Sequence, residues 1–122
     1  MKYLCLVFFD ESKLDALPKN QFDALVNASL DYDDVLRQGG HLLANQALQP
    51  TQAATTLRPR DGKMMIVDGP FAETKEQIAG FILIEARDLD EAIQLASKIP
   101  AGQLGGVEVR PVLEMSRVGS SD

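Results

Sequence analysis

The sequence predicts an α+β fold in which two β-α-β units share one sheet and a β-hairpin is inserted between them. Strand-like and helix-like runs follow one another in that order along the chain. Both helical runs are amphipathic, so each has one face to set against a sheet. The 122 residues support one core and leave no room for a second of ordinary size. We therefore expect a single domain over residues 1–115 and a flexible polar tail over 116–122.

The first unit contains a strand, a long helix and a second strand. Residues 3–9 form a short apolar run that ends at two acidic residues. Pro18 favours the start of a helix, because its missing N–H falls where helical donors have no partner. Apolar residues then recur at three- and four-residue steps as far as Gln38, namely Phe22, Leu25, Val26, Ala28, Tyr32, Val35 and Leu36. Two glycines end this helix, and a strand over 41–48 follows.

A hairpin is predicted between the two units. Residues 55–58 and 63–67 are rich in strand-forming side chains, and the pair Asp61-Gly62 lies between them. Such a pair adopts the tight turn that matches the twist of two antiparallel strands. The run Asp68-Gly69-Pro70 then interrupts the chain, because glycine permits unusual dihedrals and proline removes a ladder donor.

The second unit repeats the order of strand, helix and strand. A strand is expected over 77–86, and Asp88 followed by Glu91 is typical of a capping box at the start of a helix. The inward stripe of this helix is predicted to be Leu89, Ala92, Ile93, Ala96 and Ile99. Pro100 ends it, and the last strand is predicted over 107–115.

Two crossover helices that return to one sheet give the ferredoxin-like βαββαβ arrangement, with both helices on one face. The strand over 3–9 is nevertheless apolar on both of its alternating sides, and the strand over 77–86 is similar. Strands of this kind need cover on both faces. We expect the second face to pack against another copy of the chain, since burial contributes roughly 25 cal/mol per Å² of apolar area. The sequence therefore predicts a homodimer.

Composition excludes several classes of function. With 12 Lys plus Arg against 18 Asp plus Glu, the formal charge of −6 argues against binding to nucleic acid or to an anionic membrane. One cysteine cannot form an internal disulfide or supply a cysteine zinc site. No apolar run reaches the roughly 18 to 20 residues of a membrane span, and no signal peptide is recognisable. We expect a cytoplasmic protein with no metal and no cofactor.

Four segments carry a family resemblance: DGPFAETKE at 68–76, IAGF at 78–81, DEAI at 90–93 and EVRP at 108–111. Together they resemble the YciI-like family, specifically its DGPF subgroup, and the similarity runs over 3–114. The resemblance implies a ferredoxin-like fold that pairs as a dimeric α/β barrel, with a cleft near the DGPF loop. Some relatives are linked with sigma-factor-type transcription regulators, which implies a possible regulator as partner.

Broader YciI relatives place a histidine in the first helix, paired with an aspartate, and acid-base chemistry was proposed for them on that basis. This chain has no histidine between Pro18 and Gln38. The resemblance therefore does not carry a His-Asp pair onto this sequence.

Asp68 is the candidate acid or base. A carboxylate beside an apolar cavity has a raised pKa and can hold a proton. The alternative is structural, because an aspartate before Gly-Pro can bond backbone N–H groups two residues on.

Glu108 and Arg110 are candidate ligand-binding residues. They lie two apart on one predicted strand, so they point to the same face about 7 Å from each other. The Arg110 guanidinium can bind a carboxylate or phosphate through two parallel hydrogen bonds. The alternative is an ion pair, within or between subunits, that binds no ligand.

Two further residues are candidates. His41 is the single histidine, so it is the side chain whose ordinary pKa lies nearest neutrality. Its position at the start of a strand is equally typical of a surface or interface histidine. Lys75 lies among charges of alternating sign, which usually indicate a solvated edge, and it is also a candidate cation for the cleft.

Three functional hypotheses follow. The first is a small enzyme that acts on a small polar or anionic organic molecule by acid-base chemistry in a cleft at the dimer interface, with Asp68 as acid or base and Arg110 as anchor. The second is a non-catalytic module that senses a ligand or regulates a sigma-factor-type transcription regulator. The third is a dimeric scaffold without a pocket.

Overall fold

A four-stranded antiparallel sheet organises the computed structural model, which describes residues 1–119. Its strands are β1 (Lys2–Phe9), β2 (Leu42–Ala47), β5 (Gln77–Glu85) and β6 (Gly106–Pro111). They lie side by side in the order β2-β5-β1-β6, and each neighbouring pair is antiparallel. Between β2 and β5 in the sequence, β3 (Thr55–Arg60) and β4 (Lys63–Asp68) pair in a sheet of their own.

Three α-helices accompany the sheets: α1 (Glu11–Asp15), α2 (Lys19–Gln38) and α3 (Leu89–Ala96). Short 3₁₀ turns occupy Thr51–Ala53 and Pro100–Leu104. In sequence, α1 and α2 lie between β1 and β2, and α3 lies between β5 and β6. This α+β architecture is consistent with the predicted ferredoxin-like arrangement.

One face of the sheet carries the hydrophobic core. Alternate residues of β1 are buried on this face, where they meet Leu36 of α2 and two alanines of α3. The buried set is Tyr3, Cys5, Val7, Phe9, Leu36, Ile82, Ile84, Ala86, Ala92, Ala96 and Ile99. Burial raises the pKa of the Cys5 thiol to about 11, so this cysteine stays protonated and unreactive at neutral pH.

The opposite side of the sheet, here called the open face, is formed by the half-buried side chains of Leu4, Leu6, Phe8, Phe81 and Leu83. The register sets Leu6 directly opposite Phe81 and Leu4 directly opposite Leu83, so these apolar pairs are in contact range across β1 and β5. The central strands are therefore apolar on both sides, as the alternation predicts.

The long helix α2 is buried only in part, which the periodicity does not predict. Leu36 is buried in its second half, whereas Phe22 and Val35 are 41% and 59% exposed. The buried contacts of α2 are instead concentrated at Tyr32 and Leu36, which pack in or against the core. In α3, likewise, Leu89 and Ile93 of the predicted stripe are exposed.

Local turn and cap signals are confirmed. Asp61 and Gly62 have φ angles of 51° and 78°, as a two-residue hairpin turn of the primed type requires. At α3, the Asp88 carboxylate accepts a hydrogen bond from the Glu91 backbone N–H at 2.9 Å. The Glu91 carboxylate accepts from the N–H of Arg87 and not from that of Asp88, so the second bond of the capping box falls one residue earlier.

Strand β6 is shorter than predicted, since it ends at Pro111 and not at residue 115. The next residue, Val112, donates its N–H to the Lys2 carbonyl at 3.0 Å. Beyond this bond the partner strand has run out, so the chain leaves the sheet and Leu113 and Met115 are 80% and 85% exposed. Of the predicted tail over 116–122, residues 120–122 lie outside the described residues. No helix among residues 1–119 is long and apolar enough to cross a membrane.

Candidate functional site

An open cleft of about 610 Å³ lies where β1 ends and α1 begins. It is lined by Phe8, Asp10, Lys13, Thr74, Lys75 and Glu76, and we call it the polar cleft. Since the Phe8 side chain belongs to the open face, the polar cleft adjoins that face at the end of β1.

Asp10 is positioned by capping α1. Its Oδ1 accepts hydrogen bonds from the Ser12 backbone N–H at 3.0 Å and from the Ser12 hydroxyl at 2.8 Å. These two bonds lower the pKa of the carboxyl below its ordinary value of 3.8, and the positive charges of Lys75 and Lys13 add to the effect. Asp10 is therefore a carboxylate at neutral pH.

The segment before β5 presents Lys75 and Glu76 to the polar cleft. The Gln77 side-chain amide donates to the carbonyls of Ala72 and Thr74 at 2.8 and 3.0 Å. The Thr74 hydroxyl donates to the Glu76 carbonyl at 2.8 Å. These side-chain bonds fold residues 72–77 into a compact turn, so the positions of Lys75 and Glu76 are set by local bonding.

The segment that contains Leu104 and Gly105 also lies close to the polar cleft. A Cβ atom added to Gly105 would lie 2.2 Å from the Phe8 carbonyl oxygen and 3.0 Å from Oε2 of Glu76. Only glycine permits this close approach of two backbones. The Lys13 ammonium donates to the neighbouring Leu104 carbonyl at 3.4 Å. The polar cleft therefore depends on three segments that are far apart in the sequence.

The four charged side chains of the polar cleft form no ion pair with any of residues 1–119, although Lys13 and Lys75 act on the Asp10 pKa. Two cations and two carboxylates therefore face solvent beside the apolar ring of Phe8. Such an arrangement can bind a small polar molecule through charge-assisted hydrogen bonds.

Lys75 is the predicted site residue that lines this cleft. Asp10 and Lys13 are missing from the sequence-based candidates, in which Asp10 marks only the end of a strand. An N-cap signal was available, since Asp10 directly follows an apolar run and is itself followed by the acidic Glu11. The five residues of α1 are too few for a periodic pattern to reveal the helix.

Asp68 lies elsewhere, at the last position of β4 and opposite Thr55 of β3. It is exposed, and its carboxylate accepts no hydrogen bond from any of residues 1–119, so the Asx turn that was the structural alternative does not form there. The following Gly69 has a φ of 105°. Its N–H donates to the Ala54 carbonyl at 2.8 Å, and its carbonyl accepts from the Thr56 hydroxyl at 2.8 Å. The glycine, and not the aspartate, fixes this turn.

The rest of the DGPF loop is held by an arginine of the hairpin. The Arg58 guanidinium carbon lies 4.0 Å from the centre of the Phe71 ring, over its face. The same guanidinium donates to the Phe71 carbonyl at 2.8 Å. The motif therefore has a clear structural role in attaching the loop to β3.

Glu108 and Arg110 share one side of β6, as predicted. The register sets them opposite Leu6 and Leu4, which places both on the open face. The Arg110 guanidinium donates to the Glu108 carboxylate, and the two side chains are 68% and 43% exposed. An ion pair within one subunit is thus formed. Counted along β1 from Leu4 to Asp10, Arg110 lies roughly 20 Å from the polar cleft of its own chain.

His41 lies at the far end of the sheet from the polar cleft. Its Nδ1 donates to the Glu85 carbonyl at 2.8 Å, and the Glu85 N–H donates to the His41 carbonyl at 2.8 Å. Glu85 pairs with Lys2, at the beginning of β1. This histidine therefore extends the contact between β2 and β5. Residues 1–119 contain no group of three or more His, Cys, Asp or Glu that could hold a metal ion.

Fold and cleft together define a small α+β protein with a four-stranded antiparallel sheet, an open apolar face on that sheet and a polar cleft at the edge of that face. The family model described as "YCII-related domain" matches residues 1–116, so the chain belongs to the YCII-related family. The chain is also 38% identical over 114 residues to an uncharacterized protein of Rhizobium meliloti (strain 1021), and the match covers 92% of each chain.

The pKa of Asp10 gives a direct test of how the polar cleft is built. Because that pKa is lowered, the ionised form adds stability above pH 3.8, and this contribution is lost as the pH falls through the folded-state value. Replacing Ser12 with alanine removes the hydroxyl bond and is expected to raise the Asp10 pKa toward 3.8. A carbon-detected NMR titration of the side-chain carboxyl measures the change. Ser29→Ala, on α2, should leave the Asp10 pKa unchanged. An unaltered Asp10 pKa in Ser12→Ala would contradict the assignment.

Proposed function

We propose that this chain is a homodimer that binds a small polar organic molecule with a carboxylate group in the polar cleft. The observation that carries the proposal is the pair of cations, Lys13 and Lys75, which face the cleft beside Phe8 and form no ion pair among residues 1–119. Ammonium groups that are not already in an ion pair can bind a carboxylate through charge-assisted hydrogen bonds. An apolar ring beside them accommodates the rest of an organic molecule.

The dimer is part of this proposal. The open face exposes a contiguous set of leucine and phenylalanine side chains that a second copy could bury. Two sheets packed through these faces form the dimeric α/β barrel that the resemblance implies. In that assembly the polar cleft lies at the rim of the interface, because Phe8 belongs to both surfaces.

We also propose that the chain belongs to the DGPF subgroup, on the basis of residues 68–71. We further propose a cytoplasmic location, where a single buried thiol such as Cys5 remains reduced.

The charges of the polar cleft favour a protein that binds its ligand without catalysing a reaction. A carboxyl whose pKa is lowered, as that of Asp10 is, donates no proton near neutral pH and is a weak base. Its ionised form is well suited to hold a ligand. This supports a ligand-sensing module, and a sigma-factor-type transcription regulator remains the proposed protein partner.

Acid-base catalysis on a small polar or anionic molecule, held in a cleft at the dimer interface, is the second candidate. Asp68 is its proposed acid or base, and this exposed carboxylate has no hydrogen-bond partner among residues 1–119. Arg110 and Glu108 on the open face, and His41 at its far end, remain candidates for residues that act on a ligand held between two copies.

Substitution of Lys75 tests the binding proposal. We expect 3-phenylpropanoate to bind the wild-type protein, and Lys75→Met to weaken this binding about tenfold, because a charged hydrogen bond of about 1.4 kcal/mol is lost. Isothermal titration calorimetry measures both affinities. Lys63→Met is the matched control, since it removes a lysine of the hairpin that does not line the cleft. Equal loss in the two variants would refute the proposal.

A further inference from the structure

The charges around the polar cleft are balanced. Lys13 and Lys75 contribute two positive charges, and Asp10 and Glu76 contribute two negative ones. None of the four is within ion-pair distance of another or of any other charged group in the described chain. The four charged side chains are therefore not paired with one another. Both the ammonium groups and the carboxylates are available to a ligand.

A simple carboxylate gains less from such a cleft than a ligand that carries both charges. Its single negative charge is attracted by the two lysines and repelled by the two carboxylates, so the long-range contributions largely cancel. A ligand that carries both charges gains from all four residues. Asp10 is suited to the positive end, because Oδ1 already accepts two bonds from Ser12 and leaves Oδ2 to accept from an ammonium group.

We propose that the natural ligand is a zwitterion, namely an α-amino acid with an apolar side chain. Its carboxylate contacts Lys13 and Lys75, and its ammonium group contacts Asp10 and Glu76. Its side chain packs on Phe8, the one large apolar residue of the lining. The cleft volume of about 610 Å³ falls within the range of ordinary small-molecule sites, about 300–1,000 Å³. This inference rests on the proposed function and adds the class of ligand to it.

Three probes that share a phenyl ring separate the two charges: L-phenylalanine, 3-phenylpropanoate and 2-phenylethylamine. Calorimetry on the full chain is expected to give at least tenfold tighter binding for L-phenylalanine than for either analogue. In Glu76→Gln, the affinity for L-phenylalanine should fall and that for 3-phenylpropanoate should rise, because one repulsive charge is gone. Glu73→Gln is the matched control, since Glu73 lies in the same segment but not in the lining, and its three affinities should equal those of the wild type.

The outcomes distinguish this inference from the proposed function. If 3-phenylpropanoate binds as tightly as L-phenylalanine and depends on Lys75, the zwitterion is excluded and a carboxylate-binding function stands. If none of the three probes binds at millimolar concentration, both are excluded. If Glu73→Gln changes the affinities as Glu76→Gln does, the effect is one of net charge alone and the assignment of the ammonium site is wrong.

Discussion

Replacing Leu6 with lysine is expected to convert the proposed homodimer into folded monomers. Leu6 lies at the middle of β1 on the open face, where two copies would bring their sheets together. In the dimer the new ammonium groups would be removed from water in an apolar interface, which costs several kcal/mol for each ion. We expect the dissociation constant to rise at least about 100-fold, equivalent to about 2.8 kcal/mol.

The fold of the monomer should survive this change. Leu6 lies directly opposite Glu108 on β6, so a lysine at this position can pair with that carboxylate at the solvent-exposed surface. Sedimentation equilibrium measures the mass, and circular dichroism verifies the fold. The wild type should have the mass of two chains at micromolar concentration.

Val35→Lys is the matched control, because Val35 is 59% exposed on α2 and takes no part in the proposed interface. It should remain dimeric. A monomeric wild type with an intact fold would disprove the dimer. A Leu6→Lys protein that dissociates no more readily than Val35→Lys would place the interface on some other surface.

Replacing Gly105 with alanine is expected to destabilise the protein by about 1–3 kcal/mol, the usual cost of inserting a methyl group into a closely packed site. The added Cβ would lie 2.2 Å from the Phe8 carbonyl and 2.8 Å from the Phe9 Cα, and both are backbone atoms that cannot rotate away. The end of β1 must then shift, and with it one wall of the polar cleft. Urea denaturation measures the change in the free energy of unfolding.

The next residue offers a control of the same chemistry. A Cβ atom added to Gly106 would meet nothing within 4 Å, so Gly106→Ala should change stability by less than about 0.5 kcal/mol. Similar losses in both variants would mean that flexibility of the chain, and not the close approach to β1, makes glycine necessary at residue 105.

The candidate site was predictable from sequence only in part. Lys75 could be chosen because it lies in the segment that carries the family resemblance. Asp10 and Lys13 lie more than 60 residues earlier, and no local pattern connects them with Lys75. Their proximity arises because β1 and β5 pair in an antiparallel register that sets Phe9 opposite Gln77. This register brings the end of one strand to the beginning of the other.

Features that depend on neighbouring residues were determined by the sequence alone. The turn at Asp61-Gly62 follows from the φ angles that these residues tolerate, and the start of α3 follows from the Asp88 carboxylate. The two apolar sides of β1 follow from its alternation. Each of these features is set by interactions between residues close together in the sequence, so the local sequence is enough to predict it.

Only the tertiary structure decided which apolar residues are buried and which charges meet. Phe22 and Leu36 have similar places in the periodic pattern of α2, yet Leu36 is buried in the core and Phe22 is 41% exposed. Strand β6 stops at Pro111, where its partner β1 begins, so its end depends on pairing with a distant segment. Burial and the polar cleft depend on the relative placement of distant segments, and the order of residues within one segment carries no information about that placement.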